Sequence, residues 1–129
     1  MVSYQLFAPE GIGSIQPGDS LAQLLGDAFA AEGLVLQDGD ILLLAHKIVS
    51  KAEGRVYRLA EVVPSPRAVE LAARTGKDAT LVELILRETG EVLWAQPGLL
   101  LCRHRLGFIC ANAAVDCSNA GEGSAVLLP

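Results

Sequence analysis

Apolar residues first fall into a regular pattern at Leu21, Leu24, Leu25 and Ala28. This three-and-four spacing predicts a helix over 20–32, capped by Asp19 or Ser20 and stopped at Gly33. Residues 41–49 read differently. They open on an uninterrupted apolar run, Ile-Leu-Leu-Leu-Ala, with none of the alternation of a half-exposed strand. Such a run predicts a central strand covered on both faces, entered through the turn Asp38-Gly39-Asp40. Upstream, residues 4–7 predict a short first strand, and Pro9, Gly11, Gly13 and Pro17 punctuate a loop that exposes backbone N–H groups.

Past Arg55 the segment 56–63 fits a short edge strand or an extended loop equally well. Ser65-Pro66 then marks a helix start, because the Ser hydroxyl accepts from orphan N–H groups and Pro sits where its missing N–H costs nothing. Ala68, Leu71 and Ala72 line that helix and Gly76 ends it. Asp78 caps the next one, striped by Leu81, Val82, Ile85 and Leu86, and Gly90 breaks or bends the chain before Val92-Leu93-Trp94. Residues 99–103 and 108–111 flank His104-Arg105-Leu106-Gly107 as an antiparallel hairpin. A last strand is expected at 125–128. The predicted architecture is α+β: a mixed β-sheet with a central buried strand at about 41–49, a C-terminal hairpin at about 99–111 and three covering helices, in one domain over 1–129.

Composition narrows the picture. A chain of 129 residues can bury roughly two-thirds of its unfolded surface. Hydrophobic residues are 51% of it and aromatics only 5%, so the core must be aliphatic. A net charge of −5 argues against a broad basic face for nucleic-acid backbone. Cys102, Cys110 and Cys117 are odd in number and lack CxxC spacing, which indicates neither a disulfide framework nor a zinc knuckle. Residues 1–16 lack the pattern of a signal peptide, and no apolar run reaches the roughly eighteen residues of a membrane span. A soluble protein of a reducing cytoplasm, without nucleic-acid or membrane partners, is expected.

Two groups of residues bear on chemistry. Lys47, Lys51 and Arg55 recur every four residues where the apolar run ends, so they either converge on a phosphate or carboxylate or form a solvated basic rim. Asp116, bracketed by Asn112, Ser118 and Asn119, offers one carboxylate among neutral oxygens. That composition suits Mg²⁺ or Mn²⁺ bridging a substrate phosphate, and it equally suits a turn held by side-chain bonds to backbone. His46 fits either a contact to a base or phosphate or a satisfied rim histidine, and His104 reads as surface. Cys110 reads as a small buried hydrophobe and Cys117 as a site-adjacent thiol, since no His lies nearby in sequence to activate either.

Three segments together carry a resemblance: Ala45-His46-Lys47-Ile48-Val49-Ser50-Lys51-Ala52-Glu53-Gly54-Arg55; Pro64-Ser65-Pro66-Arg67-Ala68 with Ala73-Arg74-Thr75-Gly76-Lys77; and Asn112-Ala113-Ala114-Val115-Asp116-Cys117-Ser118-Asn119. In this order they resemble the N-terminal half of the coenzyme F420-0:γ-glutamyl ligases, over essentially the whole chain. The resemblance implies GTP-dependent amide ligation of L-glutamate to a deazaflavin coenzyme precursor, with Mg²⁺ or Mn²⁺, through an acyl phosphate. It assigns Ile12, Gly13, Ser14 and Ile15 to a nucleotide-contacting loop, His46, Lys47 and Lys51 to the nucleotide, Asn119 to a further nucleotide contact, and Asp116 to metal. No catalytic residue is assigned.

The chain departs from the family pattern at Gly13-Ser14, where Pro followed by another residue is usual, and at Ala114, where Gly is usual. Ligases of this family also continue well beyond the position matching Pro129. The resemblance therefore implies a fragment of a ligase or a partial catalytic unit, associating as a homodimer or with a complementary C-terminal chain. A non-catalytic nucleotide- or deazaflavin-binding module is the alternative.

Overall fold

The computed structural model describes residues 1, 3–118 and 120–129. The chain divides into two compact units, Met1–Gly54 and Arg55–Pro129, each described by itself below.

In the first unit, helix α1 spans Leu21–Ala31, close to the predicted 20–32. The Ser20 hydroxyl accepts from the Gln23 N–H at 3.4 Å, and Gly33 leaves the helix at φ +68°, a left-handed angle that a side chain would oppose. Helix α2, His46–Ala52, is a correction to the predicted strand. The apolar run stops at Ala45, whose backbone is extended, and beyond it Ile48 and Ala52 lie four apart, which is helical spacing. Gly54, at φ +69°, ends the helix. Neither 41–45 nor 4–7 belongs to a strand ladder. Apolar character alone cannot make a strand, which also needs a neighbour for its N–H and C=O groups.

The second unit carries the sheets. Strand β1, Val56–Arg58, resolves the ambiguity of 56–63: it pairs antiparallel with β5, Ser124–Val126, and a 3₁₀ turn, Leu59–Glu61, follows it. Helix α3, Pro66–Thr75, has the predicted Ser65 cap, Pro66 at its first position and a left-handed Gly76 at its end. Helix α4, Ala79–Glu88, is capped by Asp78, whose Oδ1 accepts from the N–H groups of Thr80 and Leu81 and from the Thr80 hydroxyl. The chain then runs straight into β2, Thr89–Gln96, so Gly90 lies inside a strand, beside one of its register shifts. Strands β3, Leu99–His104, and β4, Ile109–Ala111, form the predicted hairpin, and the sheet order is β2-β3-β4.

The α+β class stands, with differences of detail. Four helices replace three because α2 takes the place of the predicted strand. Among the described residues the strands form two antiparallel sheets rather than one mixed sheet, and the middle strand of the larger is β3. Leu100 and Cys102 alternate inward along β3 and share one core with Leu71, Val82, Ile85 and Leu127. Burying one such Leu or Ile side chain contributes about 1.5–3 kcal/mol.

Candidate functional site

The cationic residues stand on α2. Lys47 and Lys51, one helical turn apart, form a single half-buried stripe, while Ser50 on the neighbouring stripe is buried and its hydroxyl donates to the His46 carbonyl at 3.1 Å. His46 itself is exposed at the start of the helix. In the same unit, residues 12–15 lie in a loop without regular structure. The loop's continuation is tied to α2 by the Gly18 N–H, which donates to the Ala52 carbonyl at 2.7 Å. Ile12, Gly13 and Ser14 are exposed, whereas Ile15 is buried.

Arg55 is engaged within the second unit. Its guanidinium donates to Glu88 Oε2 at 2.8 Å and to the Leu128 carbonyl at 2.8 Å, which makes it a structural residue of the second unit. Glu88 is buried, and its Oε2 also accepts from Arg105 Nε at 3.1 Å. Burial alone would raise this carboxyl's pKa; the Arg55 and Arg105 guanidiniums outweigh it and hold the group below the usual glutamate range. His104 is a second correction, being buried rather than on the surface. Its place in the alternation of β3 points it inward, where Nδ1 accepts from the Leu106 N–H at 3.1 Å, Nε2 lies 3.3 Å from Glu88 Oε2, and the ring stacks on Phe108. Sequence reading missed this cluster. Its only signal was a glutamate within the apolar periodicity of α4.

Asp116 follows an unusual turn. Asn112, Ala113 and Ala114 all have left-handed backbone, at φ 54°, 45° and 59°, a region that costs a residue with a Cβ about 1–2 kcal/mol. Beyond the turn the Asp116 N–H donates to the Val126 carbonyl at 3.0 Å and its carbonyl accepts from the Val126 N–H at 2.8 Å, fixing the residue against β5. The carboxylate accepts from the Ser118 N–H at 2.8 Å and from its hydroxyl at 2.7 Å. The turn-forming role of Asp116 is therefore present. Asn119 lies outside the described residues.

Among the described residues no group of three His, Cys, Asp or Glu side chains surrounds a common point. A cage built wholly from these side chains does not fit. An ion that takes one carboxylate and draws its remaining oxygens from substrate phosphate and water does fit Asp116, since a carboxylate oxygen that accepts from Ser118 keeps a second lone pair for a metal ion.

The cysteines are free. Desolvation pushes the Cys110 thiol up, and desolvation with the nearby Asp116 and Asp78 carboxylates pushes Cys117 up. A cleft of about 250 Å³ in the second unit contains none of the predicted residues: it lies between Ser65, Arg67, Glu83, Arg87 and Gly90, where Glu83 already accepts from the Ser65 N–H. No helix among the described residues is long and apolar enough to cross a membrane.

Comparison with known proteins agrees with the segment pattern. The family described as F420-0:Gamma-glutamyl ligase matches residues 11–129. A coenzyme F420:L-glutamate ligase of Methanothermobacter thermautotrophicus is 44% identical over 124 residues, 96% of this chain and 49% of that protein. Proteins of the same name from Methanopyrus kandleri and Archaeoglobus fulgidus are 47% and 44% identical, over 89% and 97% of this chain and 44% and 48% of their own lengths. The chain spans about half the length of the curated relatives it matches.

Proposed function

The chain belongs to the F420-0:γ-glutamyl ligase family, and on that premise we propose that it carries part of a site that joins L-glutamate to a deazaflavin coenzyme precursor at the expense of GTP. The observation that carries this reading is the family match over residues 11–129, a range that includes both the Lys47 and Lys51 segment and the Asp116 segment, together with the overall identity to ligases of that name. In this reaction the γ-phosphoryl group of GTP passes to a carboxylate of the precursor, and GDP leaves. The amine of glutamate then attacks the acyl phosphate, forming the amide and releasing phosphate and a proton.

Negative charge spreads over the phosphoryl oxygens during the first step, and fixed cations lower its energy. The stripe of Lys47 and Lys51 suits that task, with His46 and the loop 12–15, exposed at 12–14, as further nucleotide contacts. Asp116 would hold Mg²⁺ or Mn²⁺, which would supply positive charge to offset that of the phosphoryl group. Asn119 is the remaining expected nucleotide contact.

The test is product formation. The chain is mixed with GTP, Mg²⁺, L-glutamate and the deazaflavin precursor, with and without the remainder of the Methanothermobacter ligase that lies outside the matched stretch. Glutamylated deazaflavin is expected with the remainder present and absent when Lys51→Ala replaces wild type; its absence from every mixture contradicts the ligase reading. A binding module without turnover is the second reading, favoured by a donor set that stops at Asp116 among the described residues. It predicts saturable GDP binding with no product in any mixture.

A further inference from the structure

The run 41–44 is apolar at every position, yet all four side chains are exposed, at 84% for Ile41, 47% for Leu42, 80% for Leu43 and 41% for Leu44. The exposures alternate with a period of two. That is the signature of extended backbone, whose successive side chains point to opposite sides, and Ala45 continues it with φ −66° and ψ 131°. Both faces are apolar, as in a strand meant to be covered twice. Among the described residues, no backbone hydrogen bond reaches residues 41–44; the nearest, Asp40 N–H to the Gln37 carbonyl and Ile48 N–H to the Ala45 carbonyl, bracket them. Natural sheets blunt open edges with charge, proline or a bulge, and 41–44 contains neither charge nor proline.

We infer that residues 41–45 are a docking strand, and that its occupant is polypeptide equivalent to the half of the relatives that this chain does not match. The occupant adds a strand alongside 41–45 and covers its apolar faces. Two observations select this partner. The relatives carry roughly as many residues again beyond the matched stretch, since the chain accounts for only 44–49% of the three compared. The run also leads directly into His46, Lys47 and Lys51, so pairing there would fix the start of α2. Strand addition draws affinity from main-chain hydrogen bonds and specificity from side-chain cover, and 41–45 offers both.

Hydrogen exchange at the amides of 41–45 tests this with nucleotide, metal and deazaflavin left out, so the result is independent of the ligase reading. The chain is measured alone, at two concentrations, and with the remainder of the Methanothermobacter ligase as a separate polypeptide. Exchange is expected to be fast in the chain alone and at least about 100-fold slower with the remainder, as for amides that gain a ladder partner. Leu43→Lys, at a position already exposed, should leave the chain folded and abolish the slowing. No slowing at 41–45 overturns the inference, as does equal slowing in the variant. Slowing that grows with concentration of the chain alone overturns it in favour of a second copy.

Discussion

The two units use aliphatic residues to opposite effect. In 55–129, helices α3 and α4 and strands β3 and β5 share one core, with Val82, Leu84, Ile85 and Leu100 fully buried. Among the described residues of 1–54, only Ile15, Ala28 and Ser50 are buried, while Tyr4, Leu6, Val35 and the run 41–44 are exposed. The difference lies in long-range pairing. Every strand in the second unit has a partner within it, whereas the described residues of the first unit form helices and no ladder. Helices satisfy their backbone internally and form from local signals; strands must find neighbours.

The sharpest way to break this comparison is to make the same truncation in both units. Leu84→Ala should cost about 3–4 kcal/mol, as for a fully buried leucine, and Leu43→Ala less than about 0.5, as for an exposed one. Urea unfolding followed by circular dichroism reads both, and comparable losses would contradict the contrast in burial.

Next comes the ion cluster of the second unit. Glu88→Gln removes the carboxylate that Arg55 and Arg105 share, and about 2 kcal/mol should be lost, discounted for the partly exposed guanidiniums. The pH dependence has a definite sign. Because the folded-state pKa of Glu88 lies below its ordinary value of 4.5, its contribution is complete above that pH and is lost as pH falls through the lower folded value. Wild type and Glu88→Gln should therefore differ most near neutral pH and converge in acid. A gap that stayed constant down to pH 3 would assign the loss to packing instead.

The smallest expected effect concerns the turn before Asp116. Ala114→Gly relieves one left-handed Cβ and adds freedom to the unfolded chain, for a net gain of about 0.5 kcal/mol. A lower melting temperature for this variant would show that the methyl group's packing outweighs the backbone strain.

What the sequence made legible follows the same division. The helices α1, α3 and α4 were readable because Ser20, Ser65, Asp78, Gly33 and Gly76 mark their ends through contacts within a few residues. The β3–β4 hairpin was readable from its short Gly-containing turn. The strand expected over 41–49 was not delivered, since an apolar run says that burial is wanted without saying by what. Its last part, from His46 on, carried helical spacing that the preceding run obscured. Of the three spaced cations, Lys47 and Lys51 share one stripe because helical spacing keeps such a pair together, but Arg55, equally spaced in sequence, belongs to Glu88. That engagement depends on a residue thirty-three positions away, as His104's burial depends on strand register.

The central proposal is that Lys51 in the first unit serves a nucleotide and that Asp116 in the second serves a metal ion. Isothermal titration of GDP with Mn²⁺ into wild type, Lys51→Ala and Asp116→Ala tests it most directly. The account predicts saturable heat in wild type and binding at least about tenfold weaker in each variant, the size of one lost charge-assisted contact. Equal heats in all three proteins would contradict it.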